Sequence, residues 1–158
     1  MKVKTLNTIN YLTPLENSFS NNYLSVRKKE NRILSDNEVV NLPKININNP
    51  NYLEWKAREF SSNKVLNYLS KKQKPIKILD LGCGNGWFSD KISKIKNTTV
   101  TAIDVNIIEL EQANKLFQKS NLEFVYGDIF KIDSFENQLD CIILNGCIQY
   151  FSDLNLLY

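Results

Sequence analysis

The sequence predicts an α/β fold, a doubly wound parallel sheet preceded by N-terminal helices. Short apolar runs of strand length alternate with helical patterns from residue 77 onward, and this order implies right-handed crossovers between parallel strands. A glycine-rich stretch from Gly82 to Gly86 follows the first apolar run and opens a helix. Open α/β sheets bind ligands at such strand-to-helix turns.

The first residues of the chain are polar and less regular than the rest. We expect an N-terminal extension over 1–49 and a sheet domain over 50–158. Helical spacing of apolar residues predicts a helix over about 16–30. Ser35 and Glu38 have the spacing of a capping box, which predicts a short helix that ends before the following proline.

A longer helix is predicted from Pro50 to about Ser70. Asn49 is a suitable N-cap, and proline is favoured in the first turn of a helix. The apolar residues of this segment recur at helical spacing, and we expect one inward face made of Leu53, Ala57, Phe60, Val65, Leu66 and Leu69.

Four strands and two further helices are predicted beyond this helix. The strands are expected at 77–81, 100–104, 123–126 and 140–144. The helices are expected at about 86–95 and 107–119, the second with Ile108, Leu110, Ala113, Leu116 and Phe117 as its apolar residues. The first and fourth strands are almost continuously apolar, which is typical of parallel strands buried on both faces.

Length and charge exclude several classes of protein. The 158 residues suit one domain, and no apolar run approaches the roughly 20 residues that span a bilayer. No apolar stretch follows the first lysine, so we expect no signal peptide and a cytoplasmic protein. A net charge of +3 is too small to favour a nucleic-acid partner.

The cysteine and histidine content restricts the chemistry. With three cysteines and no histidine, the chain has neither a Cys/His zinc site nor a Ser-His-Asp triad, and we expect no metal. The odd number of cysteines favours free thiols. Chemistry must therefore come from a cofactor or from carboxylate, lysine, tyrosine or thiol groups.

The glycine loop discriminates between cofactors. Gly82, Gly84 and Gly86 permit the positive φ and close backbone approach that a turn over a ligand requires. A dinucleotide fingerprint needs a further glycine three residues after Gly84, where this chain has Trp87. The bulky indole argues against a bound pyrophosphate and favours a cofactor without phosphates.

Carboxylates follow the second and third predicted strands. Asp104 lies twenty residues after Gly84, where a carboxylate can accept both hydroxyls of an adenosine ribose. The alternative is that Asp104 caps the helix that follows it. Asp128 can accept from an adenine amino group while Ile129 packs on the ring, and the alternative for this Gly-Asp pair is a plain turn.

These features, with Asn145 and Gly146 after the fourth strand, together resemble the class I S-adenosylmethionine (SAM)-dependent methyltransferases over about 75–158. Their first motif is similar to 78–86, the second to 100–105, the adenine motif to 124–129 and the fourth to 140–151. An upstream stretch that includes Glu54 to Arg58 is similar to one poorly characterised branch of this family. The resemblance implies a Rossmann-like fold, SAM as cofactor, S-adenosylhomocysteine (SAH) as product and a small-molecule acceptor.

The resemblance also implies a set of cofactor-binding residues. They are Asp80, Gly82, Cys83, Gly84, Gly86, Asp104, Val105, Asp128, Ile129, Asn145 and Arg58. Arg58 is expected to pair with the SAM carboxylate, the alternative being a solvated helix residue. No general base is assigned. Gln149 and Tyr150 are candidates to meet the acceptor, the alternative being that they only pack beneath their loop.

The family completes its sheet with three more strands, so the chain is expected to be short for it and its fold incomplete after the fourth strand. That strand would be an apolar edge, open to a second copy or to a partner that completes the sheet. One alternative function is a non-catalytic SAM- or SAH-binding module. Another is a nucleotide-sugar or NAD-dependent enzyme, against which Trp87 argues.

Overall fold

Five parallel strands form one sheet in the computed structural model, which describes residues 8–15, 25–30, 32–132 and 138–150. The strands are β1 (Asn10–Tyr11), β2 (Ile76–Leu81), β3 (Thr98–Asp104), β4 (Leu122–Tyr126) and β5 (Cys141–Ile143). Their order across the sheet is β1-β4-β3-β2-β5. The parallel sheet predicted from the sequence is confirmed, and β2 to β5 lie within two residues of their predicted bounds. The edge strand β1 was not predicted.

Four α-helices have both of their ends within the described residues. They are α1 (Asp36–Asn41), α2 (Tyr52–Ser70), α3 (Trp87–Ser93) and α4 (Ile107–Leu116), with 3₁₀ turns at Ile129–Lys131 and Ile148–Tyr150. The capping box predicted for α1 is confirmed, because the Ser35 side chain accepts from the Glu38 amide and the Glu38 carboxylate accepts from the Ser35 amide at 2.8 Å. Much of the helix predicted over 16–30 lies outside the described residues. Within the described part of this segment, residues 25–29 are helical.

Helix α2 differs from its prediction in two respects. Its N-cap is Asn51, because the Asn49 side chain accepts the Asn51 amide at 2.8 Å and forms a turn before the helix. Leu53 and Phe60, predicted to face inward, are 81% and 66% exposed. Val65, Leu66 and Leu69 lie on the inward face as predicted, and Trp55 and Ser62, nearer the N-terminus of the helix, share it.

The strands bury both of their faces, because alternate side chains point to opposite sides of the sheet. On one side, Ile78, Val100, Ala102 and Phe124 pack in a single cluster with residues of α3 and α4. On the other side, the second cluster comprises Leu79, Leu81, Ile103 and Val125 beneath Ile129, Ile132, Leu139 and Leu144. In the first turn of α4 Ile107 is buried, whereas Ile108, one of the apolar residues named for this helix, is 45% exposed.

The N-terminal residues pack against the sheet domain. Tyr11 is in register with Tyr126 on β4, and their rings lie 5.4 Å apart. Asp36 pairs with Lys115 on α4 at 2.6 Å. The division at residue 49 stays a prediction, but the described part of the extension is held to the sheet through β1 and α1.

The outer edge of β5 is open in the part of the chain that the structure describes. Ile142 is 53% exposed there, and a partner along this edge stays a prediction. Of the described helices, none is both long and apolar enough to cross a membrane.

Gly86 connects the glycine loop to the core, and its replacement should destabilise the fold. Its φ is +72°, and a Cβ at this position would lie 2.6 Å from the Phe124 ring and 2.8 Å from Ala113. We expect Gly86→Ala to lower the free energy of unfolding by about 2–4 kcal/mol in urea titrations, through left-handed backbone strain and overpacking. Gly127→Ala is the control, because its φ is not positive and its nearest Cβ contact is 3.2 Å. Equal losses in the two variants would contradict this account.

Candidate functional site

A cavity of about 310 Å³ opens where the strands end at their carboxyl edge. Ten of the predicted cofactor-binding residues line it, namely Arg58, Asp80, Gly82, Cys83, Gly84, Asp104, Val105, Asp128, Ile129 and Asn145. Among the described residues, Gly86 and Gln149 do not line it; the Gln149 side chain donates to the Gly146 carbonyl at 3.0 Å. The Tyr150 side chain lies outside the described part of the chain. The roles predicted for all of these residues stay predictions.

The floor of the cavity is a backbone cradle after β2. Gly82 and Gly84 have φ values of +72° and +53°, in the left-handed region where glycine is favoured. The Gly82 and Cys83 amides both donate to the Ile103 carbonyl, at 2.9 and 3.1 Å. A Cβ on Gly82 would lie 2.6 Å from that of Cys147, so only glycine fits this turn. The cradle is therefore fixed to β3 by backbone hydrogen bonds.

Asp104 connects the cradle to the end of β3. Its Oδ2 accepts from the Gly84 amide at 2.7 Å, and its Oδ1 accepts from the Asn106 amide at 2.8 Å. Asn106 is the N-cap of α4, with its side chain accepting from the Ile108 and Glu109 amides. The alternative that Asp104 serves as the helix cap is thus wrong. Burial, with a smaller contribution from the charge of Glu109, raises the pKa of Asp104 to about 6.

Asp80 lines the cavity at the end of β2 and is 1% exposed. Ser89 on α3 donates to its Oδ2 at 2.6 Å, whereas no described residue donates to its buried Oδ1. Burial raises the pKa of Asp80 to about 6, and the Ser89 hydrogen bond opposes that effect only in part. An unpaired oxygen on a buried carboxylate is costly in an empty protein, so it favours a ligand donor in this place.

The loop after β4 forms another side of the cavity. The Asp128 side chain accepts from the Phe130 amide at 3.1 Å and begins the 3₁₀ turn, so the predicted plain turn is present here. The Asp128 amide donates to Thr13 Oγ at 3.2 Å, which brings the segment after β1 into the site. Asp128 therefore both begins a turn and lines the cavity.

A cationic wall faces the carboxylates from α2 and the N-terminal extension. Arg58 donates to Glu54 from Nε and Nη2, at 3.0 and 2.8 Å, and its guanidinium lies 5.2 Å from the Trp55 ring. Arg32 donates to the same carboxylate through two hydrogen bonds, at 3.1 and 2.7 Å. A Cβ on Gly146 would lie 2.8 Å from Arg58 Nη1, which places this guanidinium against the loop after β5. Arg58 is thus fixed at the cavity rather than solvated on the outer face of α2.

Several lining residues were not predicted. Glu109 on α4 pairs with Arg27 at 3.0 Å, and Trp55 meets Trp87 edge-on at 5.6 Å. The sequence holds one local sign of this arrangement, since Asn106 and Glu109 have the spacing of a helix cap and its third residue. The partners of Glu109 and Trp87 come from distant parts of the chain, which local patterns do not reveal.

Two thiols line the cavity, and neither is poised to react. Cys147 donates to the Leu81 carbonyl at 3.0 Å, and burial raises its pKa to about 12. Burial also raises the pKa of Cys83 well above its usual value. Because a thiolate is the reactive form of cysteine, both side chains act as small apolar groups here.

Comparison with known proteins places the sheet domain in one family. A model of the methyltransferase domain matches residues 78–157, half of the chain. The chain is 31% identical over 97 residues to malonyl-[acyl-carrier protein] O-methyltransferase of Priestia megaterium, with 60% of this chain and 35% of that protein covered. It is 32% identical over 101 residues to the enzyme of the same name in Acetivibrio thermocellus, with 63% and 35% covered. The chain therefore spans about a third of the length of these curated relatives.

The solved structures include a similar fold with a bound product. The plantazolicin methyltransferase BpumL, in complex with a triazolic desmethylPZN analog and SAH, is 32% identical and superposes with a TM-score of 0.54. The match covers 63% of this chain and 40% of that chain. The Rossmann-like fold predicted from the sequence is confirmed by this match.

The buried charge of Asp80 should make stability depend on pH. The pKa of Asp80 in the folded protein is about 6, above the usual 3.8, so folding favours the neutral carboxyl over the charged one. At low pH the carboxyl is neutral in both the folded and the unfolded state, and its charge costs no stability. The loss of stability grows as pH rises from about 4 and is complete above about 6. We expect the unfolding free energy of Asp80→Asn minus that of the unaltered chain to increase by about 2 kcal/mol between pH 4.5 and 7.5. Urea titrations at several pH values measure this difference, and a difference that stays constant with pH would contradict it.

Proposed function

The chain belongs to the methyltransferase domain family, and from that premise we propose that it binds SAM and transfers its methyl group to a small-molecule or peptide acceptor. The resemblance to SAM-dependent methyltransferases predicted from the sequence is confirmed at the level of the family. The cofactor, the acceptor and the residues that hold them in this chain belong to the proposal.

The observation that carries the proposal is the hydrogen bond between the glycine cradle and the carboxylate of Asp104. Asp104 accepts the Gly84 amide at 2.7 Å, beside a turn that a Cβ on Gly82 would fill. Buried polar atoms of cavity-lining residues, among them Asp80 Oδ1 and Asn106 Nδ2, have no partner among the described residues. Free acceptors and a free donor around a glycine cradle fit a ligand with hydroxyl, amino and carboxylate groups, as SAM has. The residues present therefore fit the cofactor.

Each part of the cofactor has a matching group on the wall. The ribose hydroxyls would donate to Asp104, and the adenine amino group would donate to Asp128 beside the apolar Ile129. The amino group of the methionine part would lie near the unpaired oxygen of Asp80. Its carboxylate would pair with Arg58, whose planar fork suits carboxylates.

The chemistry that SAM supplies when bound is an electrophilic methyl group on a sulfonium. The protein's own contribution is position and the exclusion of water. Trp87 is 6% exposed and Phe88 is 2% exposed, and both line the cavity, where they exclude water from its apolar side. Orientation of two reactants in such a site can lower a barrier by up to ~7–11 kcal/mol in favourable cases. A general base is not required, and Gln149 and Tyr150 stay candidates to meet the acceptor.

The acceptor class rests on the relatives. Two of them are named for methylation of a malonyl group on an acyl-carrier protein, and one is named for plantazolicin. We extend to this chain only the common feature, a small-molecule or peptide acceptor.

Calorimetry and turnover test the proposal in two steps. Titration with SAM, SAH and NAD should show micromolar or tighter binding of the first two only, and binding of NAD without SAM would overturn it. Incubation with methyl-labelled SAM and candidate carboxylate or amine acceptors should then transfer label. Binding without transfer to any acceptor would favour the alternative, a non-catalytic SAM- or SAH-binding module.

Removal of the Asp104 charge should weaken cofactor binding selectively. We expect Asp104→Asn to raise the Kd for SAH at least tenfold, because the amide presents a donor where the site needs an acceptor, a loss of about 1.4 kcal/mol or more. Asp140→Asn is the matched control, since Asp140 accepts the Lys77 amide at the opposite end of β2. Calorimetry measures both affinities, and an unchanged Kd in Asp104→Asn would show that this carboxylate only organises the loop.

Cofactor affinity should also fall in acid. The carboxylates of Asp104 and Asp80 both have a pKa of about 6 in the protein without ligand. The ionised forms are the stronger acceptors for the ligand, so affinity should be full above pH 7 and fall by about tenfold or more between pH 7.5 and 5. Asp104→Asn should lose at least half of this dependence. Titrations of SAH across that pH range measure it, and a flat profile in the unaltered chain would contradict both assignments.

A further inference from the structure

Glu109 is a partly buried carboxylate that the family motifs do not explain. It lies in the first turn of α4 and lines the cavity. Its Oε1 accepts from Arg27 Nη2 at 3.0 Å, and the Glu109 side chain is 12% exposed. Its Oε2 is fully buried, and no described residue donates to it. One oxygen is thus held by the N-terminal extension, and the other is left for a ligand.

The free oxygen of Glu109 lies beside the glycine cradle of the proposed cofactor site. It is 3.1 Å from the position that a Cβ on Gly84 would occupy. The amide of the same glycine donates to Asp104 at 2.7 Å. Two carboxylates therefore flank one residue of the cradle. The charge of Glu109 raises the pKa of Asp104, and a ligand that donates to both carboxylates offsets this repulsion.

We propose that Glu109 is a second acceptor for the ribose diol of the cofactor, alongside Asp104, with Arg27 as the residue that positions it. This inference rests on the proposed function. A diol has two O–H donors, and both oxygens of Asp104 already accept a backbone amide, from Gly84 and Asn106. Glu109 Oε2 is the cavity-lining carboxylate oxygen nearest to Gly84 that accepts none in the described part of the chain.

The position of Glu109 is rigid enough for this role. Asn106 caps α4 by accepting the Glu109 amide at 3.4 Å, and the next residue, Leu110, is fully buried. The ion pair with Arg27 fixes the far end of the side chain. A carboxylate held at both its backbone and one oxygen loses little freedom when it accepts from a ligand.

The test compares SAH with its 2′-deoxy and 3′-deoxy analogues by calorimetry on the full chain. The unaltered chain should prefer SAH to each analogue by tenfold or more. In Glu109→Ala, the preference over one of the two analogues should fall below threefold, because the acceptor for that hydroxyl is gone. Glu111→Ala is the matched control, since Glu111 is an exposed residue of the same helix, and it should keep both preferences.

Three results would overturn the assignment while leaving the proposed function intact. One is that Glu109→Ala leaves unchanged both the affinity for SAH and the preference for SAH over its deoxy analogues. Another is an equal loss for SAH and both analogues, which indicates a structural role. A third is a loss of affinity in Glu109→Ala that is larger for SAM than for SAH, while the preference for SAH over its deoxy analogues is unchanged. This result would place Glu109 at the sulfonium. Failure of the unaltered chain to bind SAH would instead overturn the proposed function.

Two further variants are needed. Glu109→Gln controls for loss of folding in Glu109→Ala, and Arg27→Gln tests the role of Arg27. Glu109→Gln keeps the size of the side chain, and its melting temperature should stay within a few degrees of that of the unaltered chain. Because the charge of Glu109 raises the pKa of Asp104, the midpoint of the pH dependence of SAH affinity should fall in this variant. Arg27→Gln should weaken the same hydroxyl preference as Glu109→Ala, but by less. A pH midpoint that does not move in Glu109→Gln would count against the proposal.

Discussion

The hydrogen bond from the Gly84 amide to Asp104, 2.7 Å long, joins the two elements on which the site depends. β2 and β3 are neighbours in register, with Leu81 opposite Ile103, so the loop after one strand lies beside the end of the other. The left-handed φ of Gly84 turns its amide toward the carboxylate. This contact adds to the hydrogen bonds from the Gly82 and Cys83 amides that fix the cradle to β3, and the other oxygen of Asp104 accepts from the amide of Asn106, the cap of α4. A single carboxylate thus couples the shape of the loop to the position of the helix.

Charge is divided across the cavity in a way that follows from this arrangement. The strand ends and α4 supply Asp80, Asp104 and Glu109, whereas α2 and the N-terminal extension supply arginines. Arg32 and Arg58 share Glu54, and Arg27 holds Glu109. Each guanidinium is therefore balanced by a carboxylate before any ligand arrives, and both signs remain available at the wall. A ligand that carries a carboxylate together with cationic groups matches such a wall better than a uniformly charged ligand would.

The sequence predicts the part of this structure that local physics determines. The near-continuous apolar runs identify β2 and β5, and the glycines and Asp104 locate the turn, because strand, turn and cap preferences depend on adjacent residues. β1 is two residues long and polar, and in the described part of the chain it pairs with β4, so no local sequence pattern predicts it. The inward face of α2 was misjudged at Leu53 and Phe60, since a helix with apolar residues on two faces does not reveal which one is covered. The Arg27–Glu109 pair joins residues 82 positions apart.

The family model begins at residue 78, and much of the cationic wall lies before it. The cradle, Asp104 and Asp128 belong to the matched region, which thus includes the residues proposed above to hold the ribose and the adenine of the cofactor. Arg27, Arg58 and Trp55 come from the N-terminal extension and α2, yet they close the same cavity. Arg58 is proposed to hold the carboxylate of the cofactor and Arg27 to position Glu109, so the proposed cofactor site depends on residues before the matched region as well as on residues within it. The Arg58 guanidinium also meets the loop after β5, and this contact joins α2 to the end of the last strand at the cavity.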